Sequence, residues 1–180
     1  MTILHIDSSI TGDDSVSRKL TAATVERLLA ADPSATIVRR DLAAEPLDHI
    51  SLAAFADTSV VDEFLAADTV VIGAPMYNFS VPSQLKAWID RVSVAGKTFR
   101  YTDSGPEGLA KGKRVIIAVS RGGFYAIEHA WEHVESYLTG LFNFFGIEPE
   151  FVHADGVNYG PEQREAGIEK GLAEVEALAA

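Results

Sequence analysis

The stretch TVVIGAPMYNFSVPSQLKAWIDRV, residues 69–92, begins as a strand and ends as a helix. Its first four residues are all β-branched, which predicts a strand buried on both faces. From Leu85 onward apolar side chains recur at helical spacing, at Trp88, Ile89 and Val92. A strand buried on both faces and followed by a helix is the unit from which parallel sheets covered by helices are built.

The same unit recurs along the chain. Five short β-branched runs predict five strands, at residues 3–6, 36–38, 69–72, 115–119 and 151–153. Apolar residues at helical spacing predict helices between them, including residues 20–31, 85–92 and 131–141, and we expect four or five helices in all. The pattern therefore predicts an α/β fold with a doubly wound parallel sheet.

Length and loops bound the organisation of the chain. Its 180 residues, 47% of them apolar, suit one well-filled core, so we expect residues 1–180 to form a single domain. Residues 41–58 and 98–113 have weak periodicity and are predicted to be long loops with a functional role.

Composition disfavours several function classes. A net charge of -11 without any basic block argues against binding to nucleic acid or to an anionic membrane surface. The chain has no cysteine, which excludes disulfides, thiol nucleophiles and cysteine-ligated metals and fits a reducing compartment, so we expect a cytoplasmic protein. No apolar stretch approaches membrane-spanning length, and the first residues, MTILHIDSS, do not resemble a secretory signal.

Ligands of such sheets bind beyond the carboxyl ends of the strands, so the strand ends are the candidate site. After the first strand, DSSITGDDSVSRKL places several serine hydroxyls at the start of a helix near Ser17, which suits an anion. The alternative is that these residues are ordinary helix caps. The chain lacks G-x-G-x-x-G and G-x-x-x-x-G-K-[ST] there, which favours a monophosphate, with Arg18 as the only evident cation nearby.

The two other strand ends carry different chemistry. In PMYNF, Pro75 and the following Pro82 fix φ on either side of a turn, and Asn78 supplies an amide between aromatic residues, which suits a planar ring with a polar edge. The alternative is that these apolar side chains only fill the core. In SRGGFY, residues 120–125, paired glycines allow a ligand close to the backbone.

These motifs occur in the order of a known family. The serine pair of the first strand, the S-x-S helix start, PMYNF, TFRYTDSGPEGLAKGKR and VSRGG together resemble the FMN-dependent NADH-azoreductase family, which is related to the NAD(P)H quinone reductases. The resemblance implies a flavodoxin-like five-stranded sheet in the order 2-1-3-4-5 and a homodimer with active sites at its interface. It also implies one tightly bound FMN per subunit, with NADH as electron donor.

The resemblance also assigns cofactor-binding residues. It implies that the FMN phosphate lies against Ser9, Ser15, Val16 and Ser17, the isoalloxazine ring against Met76, Tyr77, Asn78 and Phe79, and the pyrimidine edge against Ser120, Arg121, Gly122 and Gly123. The implied reaction is ping-pong: NADH passes hydride to the flavin and leaves, and a quinone or aromatic azo compound is then reduced in the same space. No catalytic residue beyond the flavin and no metal is expected.

The chain departs from the family in two places. Residues 45–67 form a shorter segment, which affects the mouth of the site and the dimer, and Tyr125 stands where some members have histidine. Phe99 and Tyr101 are either aromatic walls of the pocket or packing residues of a long loop. The cluster Phe142, Phe144 and Phe145 is either interface or core.

Three other functions remain as alternatives. HAWEH, residues 129–133, fits the pattern H-x-x-E-H. On a helix, His129 and His133 would then bind the zinc ion of a zinc peptidase. The competing interpretation is a solvated helix face that includes Glu132. AVSRG imitates a nucleophile elbow around Ser120, although its first glycine is missing. A flavodoxin-type electron carrier without its own NADH turnover would also suit the acidic balance. The sequence leaves open the physiological acceptor and the choice between NADH and NADPH.

Overall fold

The computed structural model describes residues 1–179. In chain order the strands are β1 (Thr2–Asp7), β2 (Thr36–Asp41), β3 (Thr69–Pro75), β4 (Phe99–Thr102), β5 (Gly105–Gly108), β6 (Arg114–Ser120) and β7 (Glu150–Ala154). The helices are α1 (Val16–Ala31), α2 (Leu52–Ala56), α3 (Ser59–Ala66), α4 (Ser83–Val92), α5 (Glu135–Phe144) and α6 (Pro161–Ala177), and a 3-10 turn at Gly12–Asp14 precedes α1.

Five strands form one parallel sheet in the order β2-β1-β3-β6-β7. This is the predicted order 2-1-3-4-5, so the predicted fold is confirmed. The other two strands, β4 and β5, pair antiparallel as a separate hairpin inside the segment 98–113, where the sequence predicted only a long loop. The prediction of a helix from residue 131 is wrong at its start, because α5 begins at Glu135.

Helices cover both faces of the sheet. Helices α1 and α6 pack on one face, whereas α3, α4 and α5 contribute to the larger apolar cluster on the other. The centre of the larger cluster contains Phe64 and Trp88, whose rings meet edge to face at 5.9 Å. Phe142 and Phe145 are fully buried there, which makes them core residues. Each such side chain stabilises the fold by about 1.5–3 kcal/mol when it leaves water.

Because both faces are covered, β3 is buried along its whole length, as the run of β-branched residues predicted. The polar groups of its carboxyl end therefore need partners from neighbouring loops. Within residues 1–179, none of the helices combines the length and the apolar character needed to cross a bilayer.

Candidate functional site

Hydrogen bonds bring the three strand-end stretches together. The Ser8 hydroxyl, after β1, donates to the Gly73 carbonyl of β3 at 2.6 Å. The Met76 N–H, after β3, donates to the Ser120 carbonyl at the end of β6 at 2.8 Å. The loops after β1, β3 and β6 thus meet at one edge of the sheet, as predicted from the rule for parallel sheets.

The loop after β1 ends in a capped helix. Ser15 is the N-cap of α1, where its hydroxyl accepts a hydrogen bond from the Arg18 N–H at 3.2 Å. It also lies 3.2 Å from the Ser17 hydroxyl, and both side chains are buried. Within the described residues, the N–H groups of Val16 and Ser17 have no protein acceptor. The cap therefore does not exclude an anion site, because it uses one N–H and leaves two without a protein partner.

The loop after β3 is a tight two-residue turn. Tyr77 and Ser80 exchange backbone hydrogen bonds of 2.9 and 3.1 Å around Asn78 and Phe79, whose φ values are 48° and 70°. Two successive positive φ values define a type I′ turn, a geometry that asparagine tolerates. A bulky Phe79 in this region costs about 1–3 kcal/mol, and strain of this kind concentrates at functional sites. Among residues 1–179, neither the Asn78 nor the Phe79 N–H finds a protein acceptor.

Tyr77 joins this turn to the loop after β1. Its hydroxyl lies 3.1 Å from the Ser9 hydroxyl and accepts a hydrogen bond from the Ile10 N–H at 3.2 Å. The two loops are therefore held in a fixed relation by a side chain on one and the backbone of the other.

The glycine pair after β6 lies against Asn158. A Cβ atom added to Gly122 would lie 2.5 Å from the Asn158 side-chain nitrogen, so only glycine fits there without a shift. The Gly122 carbonyl accepts from the Asn158 N–H at 3.1 Å. Within the part of the chain that the structure describes, the N–H groups of Gly122 and Gly123 have no protein partner. They are donors at the edge of the site.

Two adjoining pockets occupy the meeting point of the loops. The first, of 250 Å³, is lined by Ser9, Thr11, Asp14, Ser15, Val16, Pro75, Met76, Tyr77, Ser120, Gly122, Val157, Asn158 and Arg164. The second, of 330 Å³, is lined by Met76, Asn78, Phe79, Gly122, Gly123, Tyr125, Asn158 and Tyr159. On the other side of the turn, a wider groove of 860 Å³ runs along α4. The Met76 side of the turn borders all three spaces.

Two of the predicted site residues lie outside these pockets. Ser17 is buried beneath the first pocket, where it contacts Ser15. Arg121 turns its side chain away from both pockets and is 3% exposed. Its N–H donates to the Ala154 carbonyl, so the backbone donors of this loop are those of the two glycines.

Arg121 is surrounded by carboxylates. Its guanidinium contacts Glu135 at 2.5 Å, Asp155 at 3.1 Å and Glu132 at 3.5 Å. His153 lies 3.1 Å from Glu135 through Nε2 and 3.1 Å from Glu174 through Nδ1. The hydrogen bond with His153, followed by that with Arg121, lowers the pKa of Glu135 despite burial, and the same bond with Glu135 raises the pKa of His153.

Glu132 holds the start of α5. Its carboxylate accepts hydrogen bonds from the N–H groups of Val134, Glu135 and Ser136 at 3.1, 2.9 and 3.0 Å. Burial opposes ionisation of Glu132, but these N–H groups and Arg121 together lower its pKa below the usual value. The interpretation of Glu132 as part of a solvated helix face is therefore wrong, because the side chain is buried and caps the helix instead.

The zinc interpretation loses its geometric basis. Residues 124–134 form no helix, so His129 and His133 do not lie one helical turn apart on a common face. The His133 N–H donates to the Phe79 carbonyl at 3.1 Å, and Trp131 lies 5.2 Å from the Phe79 ring. In residues 1–179 no group of three or more potential ligands is arranged to hold a metal ion. This segment packs on the turn after β3 and walls the second pocket.

The sequence interpretation misplaced the cation of the first pocket. The Arg18 guanidinium makes a two-pronged pair with Asp41 at 2.7 and 2.8 Å and donates to the Ser9 carbonyl at 2.9 Å. This pairing lowers the pKa of Asp41 to about 2. Arg18 therefore braces the loop from behind and does not line the pocket.

Sequence reasoning missed Arg164 and Asn158, which both line the first pocket. The Gly160-Pro161 pair just before Arg164 is a recognisable helix start, but only the packing of α6 against β7 and α1 brings that start to the site. Phe99 packs on Phe144 at 4.4 Å, and neither Phe99 nor Tyr101 is among the residues that line the pockets around the turn. Phe99 therefore belongs to the packing of the hairpin, whereas the Tyr101 side chain is 74% exposed.

This sheet order and these three loops define a flavodoxin-like protein. A sequence model of the family described as having a flavodoxin-like fold matches residues 1–179, and the chain belongs to that family. The chain is 54% identical to the FMN-dependent NADH:quinone oxidoreductase of Rhizobium meliloti (strain 1021), over 97% of this chain and 96% of that protein. It is 51% identical to the enzyme of that name from Stenotrophomonas maltophilia (strain K279a), over 96% and 93%. Within the flavodoxin-like class, the chain belongs to the family of FMN-dependent NADH:quinone oxidoreductases.

Solved structures agree with this placement. The azoreductase of Bacillus anthracis strain Sterne has a TM-score of 0.89 and 29% identity, over 98% of this chain and 97% of that one. An FMN-dependent NADH-azoreductase of Bacillus anthracis strain Ames Ancestor, solved in complex with FMN, has a TM-score of 0.85 and 26% identity, over 99% of both chains.

Proposed function

We propose that this protein is an FMN-dependent NADH:quinone oxidoreductase that transfers hydride from NADH through FMN to quinones or aromatic azo compounds. The observation that carries the proposal is the pairing of two adjoining pockets. One offers hydroxyls at a helix start, and the other offers unpaired N–H groups between aromatic side chains. These chemistries complement the anionic tail and the flat, polar-edged ring of a flavin mononucleotide.

The first pocket would hold the phosphate. The hydroxyls of Ser9 and Ser15 line it, and the free N–H groups of Val16 and Ser17 mark the positive end of the α1 dipole. The buried Ser17 hydroxyl keeps Ser15 in place through their mutual contact.

The second pocket would hold the ring. Met76, Tyr77, Asn78 and Phe79 would lie against it, while the N–H groups of Gly122 and Gly123, beside Ser120, would face its pyrimidine edge. Because these donors are backbone groups of rigid turns, they orient the ring at little entropic cost. Arg121 would support this loop through its ion pairs without touching the ring.

When bound, FMN supplies the two-electron chemistry, and the protein supplies orientation and a stacking surface. The Phe79 ring packs against the rings of Trp131 and Tyr125, with centroid distances of 5.2 and 6.0 Å. This aromatic surface favours flat aromatic acceptors. NADH and the acceptor would use the same space in turn, which makes the kinetics ping-pong. No protein acid or base is assigned.

The proposal extends to assembly and location. The chain would act as one FMN-binding domain with tightly held cofactor, as a homodimer, in the cytoplasm. The absence of cysteine from the 180 residues supports a reducing compartment. Three aromatic side chains around the site are exposed, Phe124, Trp131 and Tyr159, and an interface with a second copy of the chain would bury them.

The test is to purify the protein and measure three properties. We expect a flavin absorption spectrum, release of FMN and not FAD on denaturation, and steady oxidation of NADH with a quinone such as menadione. Double-reciprocal plots at several quinone concentrations should be parallel. Colourless protein that takes up no added FMN would refute the proposal. Bound FMN without NADH turnover would identify the flavodoxin-type carrier instead.

A further inference from the structure

Arg164 provides the positive charge of the first pocket. Of the described residues that line the 250 Å³ pocket, Arg164 alone is a cation, and Asp14 is its acidic neighbour. Its guanidinium donates to the Asp14 carbonyl, which uses one of five donors and leaves the others for a ligand. Across residues 1–179 no carboxylate forms an ion pair with Arg164.

A phosphate at this position needs such a charge. The chain has a net charge of -11, and Asp13 and Asp14 lie in the turn just before α1. A phosphate monoester adds about 1.5 to 2 negative charges at neutral pH. Hydroxyls and N–H dipoles compensate this charge only in part. Arg18, the other arginine near the loop, is already neutralised by Asp41 and Asp7.

The packing of α6 fixes the position of Arg164. A Cβ atom at Gly167 would lie 2.6 Å from the Asp155 carbonyl, and one at Gly171 would lie 2.9 Å from the His153 carbonyl. These two glycines therefore let α6 approach β7 and the following residue more closely than any side chain would allow. The close approach places the first turn of α6 beside the pocket and lets Arg164 reach across to the Gly12–Asp14 turn.

We propose that Arg164 pairs with the phosphate of FMN and gives this protein its discrimination between FMN and riboflavin. The inference rests on the proposed function, because it takes FMN as the ligand. Arginine suits the role because its planar fork matches phosphate oxygens and stays charged at every working pH.

The experiment compares FMN and riboflavin binding to the full-length protein after removal of flavin, by quenching of flavin fluorescence. Arg164→Met should weaken FMN binding about tenfold to a hundredfold, the effect of losing a charge-assisted hydrogen bond. Riboflavin binding should stay unchanged. Arg164→Lys should restore part of the FMN affinity. Added salt should weaken FMN binding to the unsubstituted protein more than to Arg164→Met.

The matched control is Lys19→Met, which removes one exposed positive charge from α1 outside the pocket and should leave both affinities unchanged. Equal losses of FMN and riboflavin in Arg164→Met would show a purely structural role and overturn the assignment, as would undiminished FMN affinity. An equal effect of Lys19→Met would also overturn it, because the cause would then be the overall charge. If the unsubstituted protein binds neither flavin, the proposed function and this assignment both fall.

Discussion

The loop after β1, residues 8–17, and the segment after β6, residues 121–134, reach the same site but are held in different ways. Hydrogen bonds between near neighbours shape the first, such as those that Ser15 makes with residues 17 and 18. Ion pairs shape the second, and they join Arg121 to α5 and to the residue after β7. The comparison shows that local interactions can be predicted from a motif, whereas a buried charge cluster assembles only in the folded chain.

The two regions also differ in energy. A helix cap contributes about 1 kcal/mol. Removal of one partner from a buried ion cluster leaves charges without compensation and costs about 3–5 kcal/mol. We therefore expect the loss of Arg121, in the segment after β6, to lower the stability of the protein more than the loss of the Ser15 cap in the loop after β1.

The largest effect is expected from Arg121→Met. It leaves the buried Glu132 and the partly buried Glu135 and Asp155 without their cation, so the free energy of unfolding should fall by about 3–5 kcal/mol. Urea denaturation followed by circular dichroism measures it. The control is Arg114→Met at the other end of β6, where Arg114 pairs with the half-exposed Glu150 and the loss should be about 0–1 kcal/mol. Equal losses in the two variants would contradict the expectation that the buried cluster stabilises the protein more than the exposed ion pair does.

A smaller effect is expected from Ser15→Ala. The substitution removes the acceptor for the Arg18 N–H, and the flavin-free protein should lose about 0.5–2 kcal/mol of stability. Ser15→Thr keeps an N-cap hydroxyl and should recover most of the loss. The same urea titration serves for both variants. A loss as large as that of Arg121→Met would contradict the distinction between the two regions.

The smallest effect concerns pH. The pKa of His153 is raised by Glu135, so its contribution to stability is complete below its unfolded pKa of about 6.5 and is lost as pH rises through the folded value. The lowered pKa of Glu135 acts in the opposite direction, because its contribution is lost as pH falls below its usual range. Stability measured from pH 6 to 9 should decline less in His153→Gln than in the unsubstituted protein. Identical slopes would show that His153 does not sense this pH range.

Most of the fold could be predicted from the sequence. The five strands of the parallel sheet follow from runs such as residues 69–72, because β-branched runs that alternate with helices indicate a sheet covered on both faces, whereas their order followed from the family resemblance. The start of α5 could not be predicted from periodicity. Trp131 continues the helical spacing, but the buried Glu132 takes the first N–H groups of the helix and starts it at Glu135. These N–H groups, together with Arg121 from another strand end, lower the pKa of Glu132 despite its burial.

Some features of the site could likewise be predicted from the sequence, whereas others could not. Serine hydroxyls at a helix start and the asparagine of a tight turn are local patterns, so Ser15 and Asn78 could be placed at the sheet edge from sequence. The roles of Arg18 and Arg164 could not be assigned, since Asp41 lies 23 residues from Arg18 and Asp14 lies 150 residues from Arg164.

By itself, the sequence determined the parallel sheet and the chemistry at each strand end, because hydrophobic periodicity and capping act over a few residues, and the order of the strands followed from the family resemblance of its motifs. Tertiary structure alone decided which arginine faces the first pocket and which is neutralised, and it left residues 131–134, which were expected to be helical, outside α5. The physical reason is that a charged side chain takes its role from the partners that folding brings within hydrogen-bond distance, and those partners lie far away along the chain.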